Sequence, residues 1–281
     1  MQEFQDRVAV ITGAASGIGR SLARRCVREG MKVVLADIEE AALNRTTEEL
    51  RDAGAPVLAV VTDVSKASDV TSLAQKTLDA FGAVHLLCNN AGVNAGTTIW
   101  ESTLSDWEWV LGVNLWGVIH GVRVFVPIML AQDTECHIVN TASIAGLIAG
   151  SGALGAYKVA KHGVVTLSET LYYQLAQQDA KVKVSVLCPG FVNTRIMDSE
   201  RNRPVERRND PASVPTEDEA TTQAMRQAVQ QGMSPEQVAA CVFSAIRNGQ
   251  LYIFTHPETK EWVRERMDNI LAERNPSLTE E

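Results

Sequence analysis

Residues 7–19 read "RVAVITGAASGIG": an apolar run without polar alternation leads straight into a loop with glycines at 13, 17 and 19. A continuous apolar run marks a parallel strand covered on both faces. The loop can turn tightly and let its backbone approach a phosphate group. A helix predicted over 17–29 would present its N-terminal N–H groups and positive dipole end to that anion. A glycine-rich turn without a ligand is the competing reading. The position between a strand and a helix favours the phosphate site, so Gly13, Ser16, Gly17, Ile18 and Gly19 are candidate binding residues.

The same unit recurs along the chain. Strands are predicted near 32–36 ("KVVLA"), 56–61 ("PVLAVV"), 84–88 ("VHLLC"), 136–141 ("CHIVNT") and 182–187 ("VKVSVL"). Helical patterns fill 39–53, 66–80, 103–131 and 156–178. Six such units predict an α/β fold, a doubly wound parallel sheet of the Rossmann type with helices on both faces. A helix near 234–247, a seventh strand at 251–256 ("LYIFTH") and a helical tail at about 258–275 complete one domain spanning 1–281. Residues 195–231 break the alternation with charge and three prolines. They read as a disordered linker or as a lid over about 191–231. A lid suits a segment that follows the C-terminal end of a strand, where such sheets bind ligands.

Composition narrows the function. A net charge of −8 argues against nucleic acid or an anionic membrane as a partner. The N-terminus carries no basic stretch followed by an apolar one, so no signal peptide is predicted. Asn114, His120, Arg123 and Pro127 interrupt the most apolar stretch, 109–130, which reads as an interior helix rather than a membrane span. Five widely spaced cysteines without C-x-x-C suit a reduced, cytoplasmic compartment. Cys136-His137 lacks further ligands at metal spacing, so no metal is expected.

Two more strand ends carry chemistry. Asp37 ends strand two, 18 residues beyond Gly19, with Ile38 after it. A carboxylate there can accept both ribose hydroxyls of an adenosine and repels a 2′-phosphate, which selects NAD over NADP. An aspartate capping the next helix is the plainer alternative. Strand four ends in "CNNAG" (88–92), beside strand one where the winding reverses. Its small residues Ala91 and Gly92 would let a flat ring or ribose lie close to the backbone, and "TDV" (62–64) ends strand three on the adenine side.

The stretch "GAYKVAKHG" (155–163) puts a tyrosine and two lysines at a helix start. Positions i and i+4 share a helix face, so Tyr157 pairs with Lys161, while Lys158 and His162 point elsewhere. A cation near a phenol favours the phenolate; moving a pKa of about 10 to neutrality needs roughly 4 kcal/mol, more than one lysine supplies.

Together these motifs resemble the single-domain short-chain dehydrogenase/reductase family over roughly residues 5–195. The resemblance implies that "TGAASGIG" is the cofactor loop, Asp37 and Ile38 the NAD-selecting end, and Asp63 and Val64 the adenine contact. It implies that Asn90, Ala91 and Gly92 form the strand-four element and that Pro189, Gly190, Val192 and Thr194 border the nicotinamide. Ser143, Tyr157 and Lys161 would be the catalytic triad, with Asn114 supporting a relay water. Tyr157 and Lys161 would also hold the nicotinamide ribose, whose ring cation supplies the missing charge. Three features depart from the family. Ser143 and Tyr157 stand 14 apart, one more than usual, with "GSGALG" (150–155) to absorb the residue; the usual tetramer-building terminus is replaced by "LYIFTHPETKEW"; and the lid is long.

The expected function is NAD-dependent oxidation or reduction of a hydrophobic secondary alcohol or its ketone. The pocket would be lined by Val93, Trp100, Ile144, Leu147, Phe191 and Met197. Trp100 fits core packing equally well. The lid arginines 195, 201, 203, 207 and 208 either clamp an acidic group or form a solvated mixed-charge surface, the second suiting the interleaved acids. An NADP-dependent ketone reductase and a non-catalytic dinucleotide-binding regulatory protein are the alternatives. The long helices predict a homodimer or homotetramer.

Overall fold

Seven parallel strands form one sheet in the computed structural model, which describes residues 1–150, 154–210 and 219–276. They are β1 (Val8–Thr12), β2 (Lys32–Asp37), β3 (Val57–Val61), β4 (Leu86–Asn89), β5 (Cys136–Thr141), β6 (Val182–Cys188) and β7 (Tyr252–Phe254). Their order is β3-β2-β1-β4-β5-β6-β7, with every pair parallel. The helices are α1 (Gly17–Arg28), α2 (Glu40–Asp52), α3 (Ala67–Phe81), α4 (Leu104–Leu111), α5 (Gly117–Ala131), α6 (Gly155–Gln177), α7 (Glu219–Gln231), α8 (Pro235–Asn248) and α9 (Lys260–Leu271).

The lack of alternation in β1 has a direct cause. Ala9 and Ile11 pack with Leu22 of α1, Leu43 of α2 and Phe243 of α8. Val8 and Val10 point the other way, into a second core with Leu73 of α3, Phe125 of α5 and Leu171 of α6. Both faces are dry, so each strand position is apolar. Each fully buried Leu, Ile or Phe side chain is worth about 1.5–3 kcal/mol relative to exposure.

β1 pairs with β2 on one side and β4 on the other, so the winding reverses between β1 and β4 and leaves a crevice at their C-terminal ends. Thr12 stitches that crevice. Its hydroxyl accepts the N–H groups of Asn90 (2.9 Å) and Ala91 (3.0 Å), and its carbonyl accepts Asn90 Nδ2 (3.0 Å).

The run expected over 103–131 begins at a capping box, Thr103 with Asp106, and stays helical through α4 and α5. A π turn at Gly112–Trp116 joins them. This helix is long and apolar enough to cross a membrane by length and composition, and 44% of its most apolar window is buried inside the protein. The helix read as interior is buried on one side only: Phe125 and Met129 are fully buried, while Trp116 is half exposed. Residues 151–153 of the "GSGALG" loop lie outside the described residues; Leu154, which follows them, enters α6 with φ 82°.

Candidate active site

A cavity of about 1920 Å³ opens at the C-terminal ends of the strands. That exceeds the range of about 300–1000 Å³ typical of small-ligand sites, leaving space for a dinucleotide and a second molecule.

At one end the turn after β1 reaches the cavity through Gly13, Ser16, Gly17 and Ile18. Gly13 has φ 65°, a conformation that disfavours side chains. Gly19 is fully packed rather than lining the cavity: a Cβ there would stand 2.1 Å from the Gly13 carbonyl oxygen. Its contribution is to let α1 approach the turn.

Asp37 is 9% exposed and lines the same cavity. One carboxylate oxygen accepts Ala15 N–H (2.9 Å) and the other Glu39 N–H (3.0 Å), which fixes the carboxylate and leaves lone pairs on both oxygens. Burial raises its pKa, and those backbone hydrogen bonds offset only part of the effect. Ile38, Asp63 and Val64 line the cavity beside it. The Asp63 carboxylate accepts the Ser65 hydroxyl at 2.6 Å.

At the other end Ser143, Tyr157 and Lys161 meet. The Ser143 hydroxyl hydrogen-bonds the Tyr157 phenol. Lys161, 3% exposed, sits 5.4 Å from the Tyr157 ring centroid and donates to the Thr141 carbonyl at 2.8 Å. Lys158 instead reaches the Gly150 carbonyl (2.9 Å), as the helix spacing requires. Electrostatics within the chain favour the protonated tyrosine. Burial raises the Tyr157 pKa, the Ser143 hydrogen bond offsets part of this, and Lys161 is itself pushed down to about 8 by burial. The chain's own groups therefore hold a neutral phenol.

Asn90, Ala91, Gly92 and Val93 line one wall, and Pro189, Gly190, Phe191, Val192, Thr194 and Met197 the facing one; Ile144 follows Ser143. Asn114 is fully buried within the π turn, outside the lining residues. Both polar ends of its side chain are bonded to the Val93 backbone at 2.8 Å. The side chain thus fixes the turn after β4, using one N–H and one lone pair of the amide. Two expected pocket residues lie elsewhere. Trp100 is 82% exposed in a turn away from the cavity. Leu147 packs with Val164, Val165 and Val186, because the chain bends after Ser143 and turns that side chain inward.

The lid arginines divide: Arg195, Arg207 and Arg208 lie at the surface as the mixed-charge reading expects, while Arg203 departs from both expected courses. Arg203 is buried, 2.6 Å from Asp106 and stacked on Trp109 with its guanidinium carbon 5.0 Å from the ring centroid. Burial alone would raise the Asp106 carboxyl; hydrogen bonds from Arg203, Asn209 and Thr103 outweigh it and hold the group below its ordinary range. Arg207 pairs with Glu108 of α4. At the cofactor end Arg201 (2.8 Å) and Asn202 (3.0 Å) hold Glu39, with Arg195 at 3.9 Å. The strap after β6 is therefore pinned to α4 and to the end of β2. Arg208 is exposed. Residues 211–218 of the expected lid lie outside the described residues; α7 lines the cavity beyond them through Met225 and Ala228.

Sequence reasoning missed two further elements. His256 Nδ1 accepts the Gly190 N–H (3.2 Å) and lies 2.7 Å from the Thr255 hydroxyl, so β7 buttresses the segment after β6. Helix α9 supplies a wall of the cavity through Trp262, Arg266 and Ile270. The i, i+4, i+8 spacing of those residues was the available signal.

A family model described as short chain dehydrogenase matches residues 7–204. A CLA biosynthesis dehydrogenase/reductase of Lactiplantibacillus plantarum is 34% identical over 281 residues, covering 99% of this chain and 98% of that protein. A 1-deoxy-11-beta-hydroxypentalenate dehydrogenase of Streptomyces exfoliatus is 33% identical over 269 residues, 95% of this chain and 89% of that one. A crystal structure of a short chain dehydrogenase/reductase from Burkholderia phymatum in complex with NAD is 49% identical, with a TM-score of 0.96 and full coverage of both chains.

Proposed function

The chain belongs to the short-chain dehydrogenase/reductase family, and on that premise we propose that it transfers a hydride between NAD and a hydrophobic secondary alcohol or its ketone. One observation carries the reading: a single cavity joins the glycine turn and Asp37 to Ser143, Tyr157 and Lys161. The donor set fits a dinucleotide, with a turn that only glycine packs, a fixed carboxylate for ribose hydroxyls, and small residues at the end of β4. The solved relative bound to NAD supports the choice of cofactor. An NADP site would need a free cation beside Asp37, and the nearby Arg201 is engaged by Glu39.

When bound, NAD supplies the hydride acceptor and a ring cation that favours the phenolate. In this reading Tyr157 exchanges the proton at its phenol oxygen, and Ser143 holds the substrate oxygen in line. Lys161 fixes the ribose and adds a second positive charge. Asn114 keeps the turn at Val93 in register, and the strap over about 191–231 serves as the lid that excludes water. The half-exposed Trp116 and Val159 on the long helices suit a second subunit, giving a cytoplasmic homo-oligomer.

Cofactor titration of Asp37→Ser tests the cofactor side. Losing hydrogen bonds to a charged acceptor costs about 1.5–3 kcal/mol, so NADH affinity should fall roughly 10- to 100-fold while NADPH affinity holds or rises. Unchanged NADH affinity would remove Asp37 from the ribose site.

A further inference from the structure

Trp262, Arg266 and Ile270 lie four residues apart on α9, so they share one face, and all three line the cavity. Arg266 is half-buried, and its guanidinium donates to the carbonyl of Leu147, in the loop after Ser143, at 3.4 Å. That is a long bond to a neutral acceptor. Among the described residues no carboxylate stands within ion-pair distance of it. The other arginines of the cavity are committed: Arg195 and Arg201 to Glu39, Arg207 to Glu108. Among the described arginines that line the cavity, only Arg274, exposed beyond the C-terminal end of α9, shares its lack of an ion pair. The acids of this wall, Glu258 and Glu265, are exposed, where water and salt screen them.

An arginine held at the edge of an apolar wall, beside the loop that carries the catalytic serine, has the fork geometry for a carboxylate. Trp262, Ile270, Phe191 and Ile148 line the same cavity and supply apolar surface beside that fork. We propose that Arg266 anchors the carboxylate of an apolar hydroxy acid whose secondary hydroxyl reaches Tyr157. The substrate is then an amphiphilic acid rather than a neutral alcohol. This rests on the dehydrogenase reading and names its substrate class.

The test uses the full-length enzyme with NAD and a homologous series of (ω−1)-hydroxy fatty acids, each beside its methyl ester. The ester keeps the apolar chain and the hydroxyl and removes the charge. The wild type should use one acid length with kcat/KM at least about tenfold above its ester, since a hydrogen bond to a charged group is worth a factor of that order. In Arg266→Gln the acid-to-ester ratio should collapse toward one, and Arg266→Lys should restore part of it. Arg264→Gln, which removes the exposed partner of Glu261, should leave the ratio unchanged. Equal use of acids and esters by the wild type, or a ratio that survives Arg266→Gln, overturns the anchor and leaves the dehydrogenase reading intact. Absence of turnover with every acid, ester and neutral secondary alcohol, in protein that binds NADH, overturns both.

Discussion

Replacing Lys161 with methionine should stabilise the protein at neutral pH while abolishing its activity. Lys161 is 3% exposed, and burial brings its pKa from 10.5 to about 8. Keeping the ammonium charged at pH 7 in such a site costs about 3 kcal/mol of folding stability. Methionine has similar length and no charge, but leaves the Thr141 carbonyl without its donor, a loss of about 1–2 kcal/mol. The net expectation is a gain of about 1–2 kcal/mol, or roughly 2–6 °C in Tm. The pH dependence fixes the cause. Between about pH 8 and 10.5 the unfolded lysine binds more protons than the folded one, so wild-type stability rises with pH across that window. The variant lacks this rise, so its advantage at pH 7 should vanish near pH 10. Denaturant unfolding of both proteins at the two pH values is the assay. A variant less stable at pH 7, with a pH profile parallel to the wild type, would refute the argument that this lysine is kept at the expense of stability.

Two further outcomes follow from packing and charge. Gly19→Ala places a methyl 2.1 Å from the Gly13 carbonyl, so α1 must move; a stability loss of about 1–3 kcal/mol with weaker NADH binding is expected by thermal melting and titration. Arg203→Leu leaves Asp106 buried and unpaired and should cost about 3–5 kcal/mol. The Asp106 pKa is depressed in the fold, so wild-type stability from this pair is present above the ordinary carboxylate pKa and is lost as pH falls through the lower folded value. Acid unfolding of wild type should show a fall there that Arg203→Leu lacks.

What the sequence disclosed was local. The strand β1, the glycine turn, Asp37 at a strand tip and the Tyr157–Lys161 face each depend on residues within one or two turns of chain. Strand order followed because a parallel crossover leaves few arrangements. The features that escaped are contacts across long separations between ordinary residue types. Arg203 with Asp106, Arg201 with Glu39 and His256 with Gly190 are 97, 162 and 66 residues apart. Nothing in a charged, proline-bearing stretch distinguishes an arginine that will be buried from one that stays in water. The π turn at Gly112–Trp116 was equally hidden, because a π turn carries the same apolar pattern as the helix around it. Trp100 misled because an aromatic after the β4 loop has the chemistry of a pocket residue, and only the turn geometry exposes it.

The central claim is that Tyr157 exchanges the substrate proton in an NAD-dependent hydride transfer. The most direct measurement follows reduced nicotinamide as NAD and a panel of secondary alcohols and hydroxy acids react with wild type and Tyr157→Phe, with NADH affinity determined for both. Removing a general base costs about 10²–10⁴-fold. The account predicts wild-type turnover, a loss of that order in the phenylalanine variant, and NADH affinity lowered by no more than about tenfold through the lost ribose hydrogen bond. Turnover in Tyr157→Phe within a few-fold of wild type would contradict it.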